Sequence, residues 1–316
     1  MRAALAERYG SLVLREVEKP EPAEGEVLVR VHATSLNAAD WYGLNGRPLV
    51  ARALMGLRKP KSGESGRDFA GVVEAVGAEV EGLAPGDEVY GCQGGAFAEY
   101  VVAGKAVERK PANLSFEEAA AVPVAAFTAL QGLRDHGGVR PGQQVLVNGA
   151  SGGVGTFAVQ IAKALGASVH AVCSSRNVDQ ARDLGADRVF DYTREDFTRS
   201  GARYDVVFDN AGNRSWLSMR RVLAPNATVV LVGGPRKRML GPLGHTIRIM
   251  LASKLGGRKA VFFIAKPNRD DLGRLRDLIE AGKVTPVIER RFELEQIADA
   301  MHEMNGHARA KIVVAI

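Results

Sequence analysis

The run Gly149-Ala150-Ser151-Gly152-Gly153-Val154-Gly155 follows directly on the apolar Val145-Leu146-Val147 and precedes a stretch with a helical apolar face, Phe157 to Leu165. Glycines between a strand and a helix allow a tight turn and let backbone N–H groups approach a pyrophosphate, whose charge the helix N-terminus stabilises. The spacing is not the common G-x-G-x-x-G, so the signal rests on the strand-turn-helix frame, and a glycine-rich turn without a ligand is the alternative. Roughly 20 residues further on, where an NAD site sets a carboxylate against the ribose 2′-hydroxyl, the chain has Ser174-Ser175-Arg176. A carboxylate there would repel a 2′-phosphate, whereas two hydroxyls and a guanidinium suit one. NADPH is therefore expected over NADH; the alternative is that Arg176 only starts a solvated helix, with Asp179 close by. Gly233 and Gly234, just past a strand end, would let the backbone approach the nicotinamide ribose. Asn210, in Phe208-Asp209-Asn210-Ala211-Gly212, is a further candidate for the same neighbourhood.

Other chemistries find little support. His32, His136, His170, His245, His302 and His307 form no H-E-x-x-H or other close ligand pair, so each is read as a satisfied or solvated histidine. Cys92 and Cys173 are too few for a disulfide framework or a thiolate cluster, which agrees with a reducing compartment. The first ten residues lack the apolar stretch of a secretory signal, and the expectation is a cytoplasmic protein. Hydrophobic residues at 46% and charged residues at 25% suit a globular protein, and no apolar run reaches membrane-spanning length. The formal charge of +6 is modest and acids are interspersed with bases almost throughout, so no nucleic-acid role is expected. The exception is the acid-free segment from Arg236 to Lys259, which also holds Met239, Leu240, Leu243, Ile247, Ile249, Met250 and Leu251. It reads as a loop and helix with an amphipathic basic face, packed on its own protein or, alternatively, lying on an anionic membrane surface.

The elements that must hold these residues fall into two patterns, and 316 residues leave room for two domains. Up to Pro111 the chain reads as short strands and turns. Glu26 to Ala33 alternates as a half-buried strand, Phe69 to Gly77 is another, Glu88 to Gly91 follows a Pro85-Gly86-Asp87 turn, and Ala96 to Val102 follows Gly94-Gly95. Ser115-Phe116-Glu117-Glu118 is a capping box opening an Ala-rich helical run interrupted near Pro123. From Gln144 strands and helices alternate: strands at Val145–Val147, Ser168–Cys173, Arg188–Phe190, Asp205–Asp209 and Thr228–Val232, with a helix at Asp179–Leu184. That alternation is the mark of a doubly wound parallel sheet. A charged helix near Asp270 to Ala281, a strand near Val287-Ile288, a helix near Glu295 to Met304 and a closing strand from Lys311 to Ala315 leave the pattern, so the tail can return to the first domain.

The glycine run, with Ser35-Leu36-Asn37-Ala38-Ala39-Asp40-Trp41, Gly66-Arg67-Asp68-Phe69-Ala70-Gly71, Gly86-Asp87-Glu88-Val89 and Leu184-Gly185-Ala186-Asp187, resembles the medium-chain dehydrogenase/reductases of the quinone oxidoreductase group over almost the whole chain. The resemblance implies an α/β fold: a GroES-like β domain for the substrate, residues 1–121 and 266–316, and a Rossmann NADP-binding domain with a doubly wound parallel sheet, residues 122–265. It implies a homodimer formed through an edge strand of the Rossmann sheet, for which Ala260-Val261-Phe262-Phe263-Ile264 is the candidate; an interior strand is the alternative. Zinc-dependent relatives carry a cysteine near the position of Asn37 and a His-Glu pair where this chain has Arg67-Asp68. An arginine cannot ligate zinc, so no metal is expected.

Without a Lewis acid nothing lowers the pKa of an alcohol, whereas a quinone or a conjugated enone accepts hydride with hydrogen-bond help alone. The implied activity is zinc-independent, NADPH-dependent reduction of quinones or α,β-unsaturated carbonyls. By resemblance Asn37, Asp40 and Tyr42 lie near the nicotinamide and Thr128 at its other side, with Asn37 and Tyr42 as orienting donors. Asp40 is either a proton relay or a carboxylate that fixes its neighbours and caps the next helix. Tyr192 resembles the family residue beside the adenosine phosphate. The rival functions are a non-catalytic NADPH-binding protein of the crystallin kind and a membrane-peripheral reductase of lipid-soluble quinones.

Overall fold

The structure is a computed structural model of the 316-residue chain and describes all residues except 62, 235–240, 255–257 and 305–308. Two compact units are present: residues 1–127, 266–282 and 286–316 form one, and residues 128–265 and 283–285 the other.

In the second unit six strands form one sheet in which every neighbouring pair is parallel. Across the sheet run Arg188–Asp191, Ser168–Cys173, Gln144–Asn148, Tyr204–Asp209, Leu223–Leu231 and Lys259–Phe262. In chain order this is 3-2-1-4-5-6, the Rossmann arrangement, and strands such as Val145-Leu146-Val147 are apolar throughout because both faces are covered. Leu146, Phe190, Phe197, Tyr204, Val207 and Trp216 meet in one buried cluster, each such large side chain contributing about 1.5–3 kcal/mol of burial. The helix Gly153–Ala164 buries Gly155 to Ala162 and stops at Leu165, where Gly166 takes a φ of +82° that ends the helix. Lys259–Phe262 is one of the two edge strands, Arg188–Asp191 the other. A helix spans Gly241–Lys254, on which Ile249 is buried and Ile247, Arg248, Met250 and Leu251 are exposed. Of the acid-free segment, Arg236, Lys237, Arg238, Met239 and Leu240 lie outside the described residues.

In the first unit a hairpin, Arg2–Arg8 with Ser11–Glu16, accompanies a seven-stranded sheet. Its main path runs Ile288–Glu293, Lys311–Ala315, Val27–Ser35, Asp68–Val76, Glu88–Cys92, Val107–Arg109, and Tyr100–Ala103 pairs with Val27–Ser35. The tail does return: Val313 pairs with Ser35. Two expectations need correction. The strand Val27–Ser35 is not half-buried; Arg30 alone is exposed and His32 is intermediate, because Phe116, on the helix Phe116–Ala120, stacks on His32 at 4.4 Å and covers the second face. The stretch Ala96 to Val102 is not one strand either: the chain near Phe97 bonds to Ala4 and Ser65, and regular pairing starts only at Tyr100. The Ser115 capping box is formed, Ser115 N donating to Glu118 and Glu118 N to Ser115 Oγ. Among the described residues His32 Nε2 and His245 Nε2 are buried without a hydrogen-bond partner.

Candidate functional site

Because the strands of the second unit are parallel, their C-terminal ends share one edge of the sheet, and there the glycine turn, Ser174, Asn210 and Gly233 follow their strands. The turn closes on itself so tightly that a Cβ at Gly155 would lie 2.1 Å from Gly149 O. A Cβ at Gly233 would lie 2.0 Å from Asn210 O, so these two strand ends meet backbone to backbone. Gly152 precedes the helix Gly153–Ala164 with extended φ/ψ and no side-chain cap. The first-turn N–H groups are thus left without a side-chain acceptor, which is what an anion at that terminus requires. Ala150 is buried, while Ser151 and Val154 are intermediate. Beneath the turn Asp209 is fully enclosed and accepts from Asn148 Nδ2 at 2.8 Å and from Gly212 N at 2.9 Å; burial pushes its carboxyl above the usual range. Asn148 and Asp209 therefore pin the loop that carries Asn210, a role the sequence reading missed.

Ser174, Ser175 and Arg176 follow the second strand as expected, but a carboxylate accompanies them. Ser175 Oγ donates to Asp191 Oδ2 at 2.5 Å and lies 2.9 Å from Thr193 Oγ1. Thr193 donates to Asp191 from both N and Oγ1, Arg194 sits 3.6 Å away, and these donors, Ser175 first, hold the Asp191 carboxyl below its ordinary value. Ser174 Oγ accepts from Asn177 Nδ2 at 3.1 Å. Arg176 is exposed and has no protein partner among the described residues, and Tyr192 is half exposed. The guanidinium is free for a ligand, whereas the Ser175 hydroxyl is already engaged.

The second group of predicted residues, Thr128 apart, lies in the first unit. Three strand ends converge there: Ser35 closes one strand, Asp68 opens its antiparallel neighbour, and Lys311 opens the strand that pairs on the other side. Asp68 Oδ2 accepts from Ser35 Oγ at 2.8 Å, Asn37 Nδ2 at 2.8 Å and Lys311 Nζ at 3.1 Å, and Asp68 Oδ1 accepts from Val124 N at 2.9 Å. Lys311 Nζ also donates to Asn37 Oδ1 at 2.7 Å. The side chains of Lys311 and Asp68 are 2% and 0% exposed, so this is a buried ion pair whose carboxylate is fully supplied with donors. Asp40, on the helix Ala38–Asn45, is half-buried and accepts from Asn37 N at 2.8 Å. Desolvation first, and then the neighbouring Asp68 charge, push its carboxyl up to about 7, against the opposing pull of Asn37 N, Arg67 and Lys311. Tyr42 packs beside Trp41, rings 5.3 Å apart, against the apolar cluster of that unit. Thr128 is half-buried on the helix Pro123–Gln131, four residues beyond Val124 and hence on the same helix face. Cys92 pairs in register with Asp68, and burial pushes its thiol well above the ordinary range, so it packs as a small hydrophobe.

The chain is similar to known proteins in sequence and in fold. The model of the alcohol dehydrogenase GroES-like domain matches residues 23–111 and that of zinc-binding dehydrogenases residues 184–314. The chain is 33% identical to the chloroplastic quinone-oxidoreductase QR1 of Triphysaria versicolor over 99% of this chain and 98% of that protein. It is 34% identical to 2-methylene-furan-3-one reductase of Solanum lycopersicum over 97% of this chain and 76% of that one. The quinone oxidoreductase of Coxiella burnetii superposes with a TM-score of 0.87 at 31% identity, over 100% of this chain and 99% of that one. The protein belongs to the medium-chain dehydrogenase/reductase superfamily, in its quinone oxidoreductase-like group. It is an NAD(P)H-dependent oxidoreductase of small molecules.

One matching model describes zinc-binding dehydrogenases, so the fit of a metal to this oxidoreductase matters. Zinc takes thiolate, imidazole or carboxylate ligands. Here Asn37 and Arg67-Asp68 stand at the positions in question, the Asp68 oxygens face four donors, and the Lys311 ammonium stands where a cation would bind the carboxylate. Among the described residues no three His, Cys, Asp or Glu side chains gather into a metal-holding group. The donor set does not fit zinc. Lys311 was legible in the sequence only as the first residue of a strand. Among the described residues no helix is long and apolar enough to cross a membrane.

Proposed function

We propose that the protein reduces quinones or α,β-unsaturated carbonyls with NADPH and without a metal. The observation that carries the reading is the buried Lys311–Asp68 pair beside Asn37: a cation-saturated carboxylate next to an amide donor suits an acceptor that needs hydrogen bonds rather than a Lewis acid. Names of relatives support the substrate class, one being a quinone oxidoreductase and another a reductase of a methylene-furanone.

When bound, NADPH supplies a hydride from its C4. In this reading the turn Gly149-Ala150-Ser151-Gly152-Gly153-Val154-Gly155 would hold the pyrophosphate at the helix N-terminus, with Ser151, Gly153, Val154 and Gly155 offering their N–H groups, while Gly149 N and Ala150 N donate to Val172 O and Gly152 N to Gly149 O and so shape the turn. Arg176 and Ser174 read the 2′-phosphate, Ser175 ties Asp191 away from it, and Tyr192 flanks the adenosine side. Asn210, Gly233 and Gly234 line the nicotinamide ribose. Asn37 and Tyr42 would donate to the acceptor oxygen as it gains charge, Thr128 would contact the nicotinamide, and Asp40 would relay a proton or fix Asn37. The buried free cysteines agree with a reducing compartment such as the cytoplasm, and the edge strand Lys259–Phe262 supports a homodimer. Exposed Ile247, Met250 and Leu251 beside Arg248 support the second reading, attachment to an anionic membrane surface; retention by anionic vesicles at low salt tests it, and no retention removes it.

The test of the main reading is a panel of 9,10-phenanthrenequinone, 2-alkenals and simple alcohols, each with NADPH and NADH after exhaustive chelation. Turnover of the quinone or the alkenals with NADPH is expected. NADPH binding without turnover across the panel would make this a nucleotide-binding protein instead, and activity lost with removal of stoichiometric zinc would defeat the metal-free mechanism.

A further inference from the structure

We propose that Lys311 and Asp68 are positioning residues for the reduction, fixing the Asn37 amide so that its oxygen is turned inward and one Nδ2–H is left to donate to the acceptor oxygen. This rests on the reading of Asn37 as a donor at the reacting atoms. An ammonium offers donors and no acceptor, and an ionised carboxylate only acceptors. Asn37 lies between the two, with Oδ1 2.7 Å from Lys311 Nζ and Nδ2 2.8 Å from Asp68 Oδ2. A flipped amide would set NH2 against an ammonium and a carbonyl oxygen against a carboxylate, so the orientation, ordinarily ambiguous for an amide, is decided by the chemistry of its neighbours. Once Asp68 has taken one N–H, the second has no protein acceptor among the described residues, although the residue is only 7% exposed.

The frame holding the amide is itself rigid. Ser35 Oγ and Val124 N fix Asp68 from two further directions, and Asn37 N is held by Asp40. Strand register sets the two charges at neighbouring ends of one sheet rather than on loops. A donor that cannot rotate or flip need not reorganise as charge develops on the acceptor oxygen, which is the condition for such a donor to raise kcat rather than merely tighten binding.

Removing one charge alone would leave the other buried and unpaired, so the test uses the double variant Asp68→Asn/Lys311→Met, which removes both. It is compared with Asn37→Ala and with the triple variant, all assayed with NADPH and 9,10-phenanthrenequinone. Melting curves and NADPH dissociation constants show that each variant is folded and loaded. Asn37→Ala should lower kcat on the order of a hundredfold, as loss of one preorganised donor does. The double variant should lower kcat at least about tenfold with the NADPH constant within about threefold of wild type, and adding Asn37→Ala to it should change kcat little, because both act through one N–H. Losses that multiply in the triple variant, or a double variant with wild-type kcat, would overturn the positioning role while leaving Asn37 as a donor. If Asn37→Ala itself turns over normally, the reading beneath the proposal fails instead.

Discussion

At the glycine turn the chain offers an incoming anion backbone N–H groups and little else, whereas around Asp68 it packs four polar side chains, Ser35, Asn37, Asp68 and Lys311, against one another. The first region depends on the absence of side chains: a Cβ at Gly155 has no room beside Gly149 O. The second depends on side chains that neutralise each other where water is excluded. Their sensitivities should differ accordingly. Changes at the turn should act on cofactor affinity, and changes at the cluster on stability and on the chemical step.

The largest effect is expected where a charge is left without its partner. Lys311→Met strands the buried Asp68 carboxylate and should destabilise the protein by about 3–5 kcal/mol, read from the shift of its urea-unfolding midpoint, while Asp68→Asn/Lys311→Met recovers most of that. A single variant as stable as wild type would mean that the pair is not buried as described. Gly155→Ala should come next, weakening NADPH by about a hundredfold in a fluorescence titration, since about 1–3 kcal/mol of overpacking strain falls on the loop that holds the pyrophosphate. An unchanged dissociation constant would detach the turn from cofactor binding.

Arg176→Ala sharpens the contrast within the cofactor region. Its guanidinium has no protein partner to lose among the described residues, so the Michaelis constant for NADPH should rise about ten- to a hundredfold while NADH kinetics barely move. Equal losses for both cofactors would place the reading of the 2′-phosphate elsewhere. The smallest effect concerns Asp40. Its carboxyl is raised to about 7 by burial and by Asp68, so between the ordinary carboxylate range and pH 7 the native state holds a proton that the unfolded chain has released. Stability conferred at low pH is therefore lost as pH rises through that window. Asp40→Asn should remove this slope: its melting temperature relative to wild type should climb from pH 4 to pH 7 and level off above. A constant difference over that range would show that Asp40 titrates normally.

The same contrast explains what could be read from the sequence. The turn is local: a strand, seven residues and a helix adjoin in the chain, and the strand Ser168–Cys173 has the bounds that its apolar run predicts. The doubly wound pattern followed from such runs, because parallel strands covered on both faces are apolar from end to end. The cluster is not local. Lys311 and Asp68 are 243 positions apart and meet only because antiparallel register brings Ser35 opposite both Val313 and Asp68. No spacing rule links them, and an isolated lysine opening an apolar strand reads as a solvated end. Asp191 is hidden for a related reason: the apolar run of the third strand ends at Phe190, whereas the strand itself extends to Asp191, whose carboxylate engages Ser175.

The central claim is that hydride passes from the nicotinamide to a quinone or enone with hydrogen bonds as its only assistance. Rapid mixing of chelator-treated protein and NADPH, deuterated at C4 on one face or the other, with 9,10-phenanthrenequinone tests this most directly. The account predicts loss of nicotinamide absorbance that is slowed by deuterium on one face only and is the same with and without chelator. No loss of absorbance, or a loss that chelation abolishes and added zinc restores, would contradict it.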